Sequence, residues 1–141
     1  MEIVTAIIEH SNEIYELICE LENEFLDKEE FLQIFQSNLN NKNIYYLVAL
    51  EESSIIGFAS LHIQKLLHHC ARIGEIQELI VSKARQGSGV GTELFIHIKE
   101  IADKNNCEIL EVCCNRRREK SHQFYLKQGM EQSHFKFTYN L

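Results

Sequence analysis

Apolar positions along the chain switch between helical and strand spacing, and the order of the switches predicts the elements. Ile3 to Glu9 is apolar and β-prone, and Ser11 then opens a helix whose stripe is Ile14, Leu17, Ile18 and Leu21. A second helix is expected from Lys28 to about Asn38, carrying Phe31, Leu32, Ile34 and Phe35. Ile44 to Glu51 and Ile55 to about Gln64 read as a hairpin around the polar turn Glu52 to Ser54, with Leu66 to Ala71 as a loop or strand end. A strand of buried character, Ile73 to Val81, leads through a glycine-rich stretch into a helix from Val90 to Ala102, with Val90, Leu94, Ile98, Ile101 and Ala102 at helical spacing. Asn105 and Asn106 stop that helix. Glu108 to Cys114 reads as a strand, Glu119 to Gln128 as a helix ended by Gly129 at its C′ position, and His134 to Asn140 as a final strand. Strand, two helices, three strands, helix, strand, helix, strand describes an α/β (α+β) domain spanning residues 1 to 141, with no repeat or linker.

Composition narrows the function classes. With 141 residues, 45% of them hydrophobic, the chain has the apolar mass for one core. A formal net charge of −7 argues against nucleic acid or an anionic membrane as partner and favours a small-molecule, cationic substrate. The five cysteines are odd in number and show no Cys-x-x-Cys spacing, which suits reduced thiols in a cytoplasmic protein better than disulfides or a zinc site. No apolar stretch approaches a membrane span, and the N-terminus lacks the basic start of a signal peptide.

Gln86-Gly87-Ser88-Gly89-Val90-Gly91 lies between the predicted buried strand and its helix. Glycines there allow positive φ and let backbone N–H groups close around an anion, to which the helix N-terminus adds its partial positive charge. A Walker loop is excluded because Gly91 is followed by Thr92 with no lysine, and a dinucleotide fingerprint would need glycine where Thr92 stands. A pyrophosphate fits the loop; a plain strand-to-helix connection is the competing explanation.

Gln86, Gly89 and Gly91 resemble the Q/R-x-x-G-x-G/A signature of the GNAT (GCN5-related) N-acetyltransferases. Arg118, Ser121-His122 and Phe124-Tyr125-Leu126-Lys127-Gln128-Gly129 resemble that family's second signature, with Met130 in place of a phenylalanine. The resemblance implies the GNAT fold: a mixed, mostly antiparallel central sheet with splayed middle strands, flanked by about four helices. It implies acetyl-CoA as co-substrate, held by Leu79, Ile80, Val81, Gln86, Gly87, Ser88, Gly89, Val90, Gly91, Thr92, Asn115 and Arg118, although Asn115 suits a turn cap equally well. It also implies that Tyr125 stands beside the sulfur as general acid, a role that suits a phenol protonated at neutral pH.

Neutralising an amine of pKa near ~10 at pH 7 costs about 4 kcal/mol, so transfer benefits from a base. Glu75 and Glu78 interrupt an apolar strand, their odd separation places them on opposite faces, and Glu75 is expected toward the acceptor side. A covalent route through Cys113 or Cys114 lacks a histidine partner in sequence. His62, His68 and His69 raise a metal question, yet adjacent His68 and His69 cannot share a strand face. LICEL (17 to 21), LHH (67 to 69), IGEIQEL (73 to 79), FYL (124 to 126) and EQSHF (131 to 135) further resemble the aminoalkylphosphonate N-acetyltransferases. That likeness implies a small aminophosphonate acceptor and a divalent metal ion, with His68 and His69 as candidates for metal or substrate contact. A polyamine-like acceptor, or a non-catalytic acetyl-CoA-binding module, are the alternatives. The residues leave a homodimer open.

Overall fold

The computed structural model describes residues 1–141, which divide into two compact units, Met1–Glu111 and Val112–Leu141. The first unit is built on a mixed five-stranded sheet in the order β1 (Glu2–Thr5), β2 (Ile44–Glu51), β3 (Ser54–Leu66), β4 (Ala71–Val81) and β5 (Cys107–Val112). The first three pairings are antiparallel. Helices α1 (Ser11–Glu22) and α2 (Lys28–Leu39) follow β1, and α3 (Val90–Lys104) carries the chain from β4 to β5. β3 and β4 run further than the sequence pattern predicts, to Leu66 and from Ala71, so the connection shrinks to a turn at residues 67–70.

Local chemistry accounts for the boundaries. Asp27 caps α2, its carboxylate accepting the Glu30 N–H at 3.0 Å. Asn23 ends α1 in the left-handed region, where asparagine is tolerated. Glu52 and Ser53 both take positive φ, 49° and 68°, the pair of conformations that closes a type I′ hairpin between β2 and β3.

The sheet buries both faces. On one, a Cβ at Gly57 would stand 3.0 Å from Val90 Cγ1 and Leu94 Cδ1, so α3 approaches β3 as closely as only glycine permits. On the other, Val48, Phe58 and Ile80 pack with Ile14, Leu17, Ile18 and Phe35 of α1 and α2. A run of rings, Phe31 to Phe35 to Tyr46 to Phe58, with centroids 6.1, 5.3 and 5.5 Å apart, ties α2 to this face.

The second unit centres on α4 (Glu119–Lys127). Gly129, at φ 90°, lets the Met130 N–H return to the Tyr125 carbonyl at 3.1 Å and closes the helix as predicted. The predicted final strand, His134 to Asn140, is not formed: residues 131–141 have no secondary structure and are exposed throughout. Alternation alone does not make a strand, because its backbone groups need a hydrogen-bonding partner.

Candidate active site

The glycine loop starts where β4 ends. The Ser82 N–H donates to the Ile56 carbonyl at 2.9 Å, and the Gln86 amide donates to the Val81 carbonyl at 3.2 Å, which pins the loop to the strand. Gly87 and Gly89 have φ of 78° and 93°, and a Cβ at either would meet nothing within 4 Å. Backbone conformation, not crowding, demands glycine there, and the space above both is open. Gly89 is the N-cap of α3 and makes no side-chain capping bond. The first N–H groups of a helix have no intrahelical acceptor, so those of Val90, Gly91 and Thr92 are available to an anion. Ser88 turns its hydroxyl back to the Arg85 carbonyl, and Val90 is buried against Gly57, so these two side chains support the loop.

A cavity of about 200 Å³ opens on the other side of β4. Ile14, Ile18, Phe35, Tyr46 and Phe58 line it, and Glu78 is its one carboxyl. Burial pushes the Glu78 carboxyl above the usual glutamate range; the Ser60 hydroxyl opposes this by donating to the carboxylate at 2.6 Å, and nearby Glu22 reinforces it. Ser60 is fully buried and accepts the Glu78 N–H at 3.0 Å, so side chain and backbone are held together. The Tyr46 hydroxyl accepts from the Asn38 amide at 2.7 Å, and burial keeps its proton on.

The expected placement of Glu75 and Glu78 on opposite faces is overturned. Glu75 stands opposite His62 and Glu78 opposite Ser60, two residues apart on β3, while β4 skips Gln77. This β-bulge restores parity, and both glutamates project from the face that α1 and α2 cover. They differ in environment. The Glu75 carboxylate accepts from the exposed Gln77 amide, and its neighbour His62 is pushed toward the neutral form by burial, against the pull of Glu75. Glu75 does not line the cavity.

His68 and His69 sit on the turn between β3 and β4, their rings 4.3 Å apart. No group of three or more His, Cys, Asp or Glu side chains able to hold a metal ion comes together, these histidines and the strand glutamates included. The residues present therefore do not fit a resident metal, and no step is assigned to one. Ser60, Tyr46 and Asn38 are absent from the sequence prediction. Ser60 carried a signal, a lone hydroxyl inside the apolar run Phe58-Ala59-Ser60-Leu61, which only the partner across the sheet makes meaningful.

In the second unit, burial pushes the Tyr125 phenol up to about 12, assisted by Cys114 and opposed by the Arg118 guanidinium. Asn115 caps the turn into α4: its side-chain oxygen accepts the Arg117 N–H at 2.9 Å, and its carbonyl accepts the Arg118 N–H at 2.9 Å. Cys114 is pushed up by burial, which keeps it a thiol and disfavours it as a nucleophile.

A strand feeding an uncapped helix through two positive-φ glycines, beside a hydrogen-bonded carboxyl in an apolar cavity, fits group transfer from a diphosphate-bearing donor. The chain belongs to the acetyltransferase (GNAT) family, whose sequence profile matches residues 9–130, and it is an N-acetyltransferase that uses acetyl-CoA as co-substrate. Among relatives, it is 40% identical over 137 residues, 97% of this chain and 89% of the other, to the aminoalkylphosphonate N-acetyltransferase of Salmonella typhimurium strain LT2. The fold matches a crystal structure titled transcriptional regulator from Bacillus halodurans C-125, with TM-score 0.91 and 18% identity over 99% of each chain. It also matches glucosamine-6-phosphate N-acetyltransferase from Arabidopsis thaliana, with TM-score 0.83 and 20% identity over 99% of this chain and 97% of that one. At those identities the two structures speak to the fold alone. No helix is long and apolar enough to cross a membrane.

Proposed function

We propose that residues 1–141 act as one domain that moves the acetyl group of acetyl-CoA directly to the primary amine of a small aminoalkylphosphonate. The observation that carries this is the 40% identity to the Salmonella enzyme across 97% of the chain. In this proposal the backbone from Gln86 to Thr92 receives the diphosphate, and the strand end Leu79 to Val81 runs alongside the pantetheine arm. Glu78, rather than Glu75, takes the ammonium proton, because Glu78 alone lines the cavity and is held by Ser60. The amine nitrogen then bonds to the thioester carbon, the carbon–sulfur bond breaks with Tyr125 donating a hydrogen bond toward the departing sulfur, and the second proton that the nitrogen sheds passes to the thiolate, leaving the amide and coenzyme A. Arg118 and Asn115 serve by shaping the turn before α4.

The cavity contains a carboxyl and no lysine or arginine. An ammonium group is drawn into it, and a phosphonate is left to its rim. The same observation favours, as a second candidate, a polyamine-like acceptor without any phosphonate. Steady-state rates for aminomethylphosphonate, 2-aminoethylphosphonate and ethylamine, each with and without Mn²⁺, separate the two. The expected result is kcat/KM for the phosphonates at least about tenfold above ethylamine, or about 1.4 kcal/mol. Equal values in both metal conditions would leave acetyl transfer standing and remove the phosphonate.

Gly89→Val tests the loop. Valine is strained at φ 93°, and its side chain would enter the open space assigned to the diphosphate. Acetyl-CoA affinity is expected to fall by about tenfold or more, with Gly89→Ala intermediate. Unchanged affinity by calorimetry, in protein that still unfolds cooperatively, would remove the loop from the binding site.

A further inference from the structure

The β3–β4 hairpin carries the basic pole of an acidic protein. From Gln64 to Gly74 the chain has no acid, and Lys65, His68, His69 and Arg72 gather there although the net charge of the whole is −7. Lys65 and Arg72 stand directly opposite each other across the two strands. Like charges so placed destabilise a sheet. Neither belongs to an ion pair, since the salt bridges of the chain are Lys83–Glu20 and Arg85–Glu51.

Arg72 is half-buried, and a terminal guanidinium nitrogen donates to the Asn105 carbonyl at the end of α3 at 3.4 Å. Its Nε is buried with no hydrogen-bond partner, the one such side-chain nitrogen or oxygen in the chain. An N–H of this kind is costly to leave unmade, and the polypeptide supplies it no acceptor. Beside it lies a cavity of about 340 Å³ lined by Lys65, Leu66, Leu67, Cys70, Ala71 and Arg72, with no carboxyl among them. The Cys70 thiol donates to the Leu67 carbonyl at 3.3 Å and closes the turn that walls the cavity.

This cavity is separate from the acceptor site. A Cβ at Gly74 would stand 3.6 Å from the Ala102 Cβ of α3, so Gly74, and Arg72 two residues before it, face that helix. Glu78 faces α1 and α2 and lies roughly 20 Å further along β4.

We propose that Lys65 and Arg72 hold a small tetrahedral oxyanion, a phosphate or a phosphonate, in this cavity, whichever amine the enzyme acetylates. The Nε edge of a guanidinium presents two parallel N–H groups that fit two oxygens of such an anion, and the Lys65 ammonium adds a compact charge. A dianion matches two facing cations, which a chloride or a carboxylate does not. Binding turns a repelling pair into a bridged one and gives the Arg72 Nε its acceptor.

Calorimetry with inorganic phosphate at constant ionic strength, with coenzyme A present to fill the glycine loop, is expected to show one saturable site with Kd of roughly 1 mM or tighter. Acetate should bind at least about tenfold more weakly, and methylphosphonate measured against phosphate shows which of the two the site prefers. Lys65→Gln and Arg72→Gln should each weaken phosphate about tenfold or more, while acetyl transfer and coenzyme A affinity stay at wild-type values. Arg72→Gln also removes the bond to Asn105, so the exposed Lys65→Gln decides the matter if the other variant does not fold. In amide NMR spectra phosphate should shift residues 65–72 and Asn105. No saturable binding by about 50 mM phosphate would overturn the site, as would acetate binding as tightly as phosphate. Unchanged affinity in Lys65→Gln, or shifts confined to residues 86–92, would overturn it equally.

Discussion

Glu78→Gln is expected to lower kcat/KM by about 10²- to 10⁴-fold, the range of one general base, and to erase the acidic limb of the pH profile. The substitution keeps the shape and the hydrogen-bond acceptor for Ser60 but removes the titrating carboxylate. The position of the limb carries a second test. A base works deprotonated, so rate rises as pH climbs through its pKa, and burial places that rise above the usual glutamate range. Ser60 holds the value down by donating to the carboxylate. Ser60→Ala should therefore move the limb to still higher pH while leaving the alkaline plateau largely intact. Stability supplies the control. A carboxyl whose folded pKa is raised contributes stability below its unfolded pKa and loses it as pH rises through the folded value. At neutral pH, Glu78→Gln should accordingly melt no lower than wild type, so lost activity reports lost chemistry. Glu75→Gln should retain the limb. If both glutamine variants keep the wild-type profile, neither residue is the base.

Tyr125→Phe is expected to reduce kcat by about 10²-fold with acetyl-CoA affinity unchanged, the scale seen when one donor to a developing anion is removed. Burial both strengthens and restricts this role. With a pKa of about 12 the phenol is protonated at every pH where the enzyme works, so it is always a donor. Full transfer to a thiolate of pKa near ~8.5 is uphill by about 3.5 units, or about 5 kcal/mol, so its main contribution is a hydrogen bond that strengthens as the sulfur leaves. The alkaline side of the profile should therefore show no loss of activity near the ordinary tyrosine value of ~10. Rapid-mixing turnover and a binding isotherm on the same variant check both halves. Equal turnover would reduce Tyr125 to a packing residue of α4.

Much of the fold was legible because it rests on local physics. Helical stripes such as Ile14, Leu17, Ile18 and Leu21, and the apolar run of β4, state their period in the sequence. Gly87 and Gly89 announce positive φ, Gly129 announces a helix end, and all three were found in that conformation. These are properties of a residue and its near neighbours, and near neighbours are known before folding. The GNAT signatures are legible for the same reason, since they are contiguous loops and turns.

What tertiary structure alone decided involves residues far apart in the chain. Counting along β4 puts Glu75 and Glu78 on opposite faces; the bulge at Gln77, set by pairing with β3, puts them on the same one. Ser60 becomes part of the site because the sheet brings it within 2.6 Å of Glu78, eighteen residues away, and no local pattern encodes that meeting. The alternation from His134 to Asn140 suggested a strand that the structure does not form, because a strand exists only when a second strand completes its hydrogen bonds. Periodicity records which face a side chain prefers, whereas register, desolvation and partner supply depend on the whole assembled sheet.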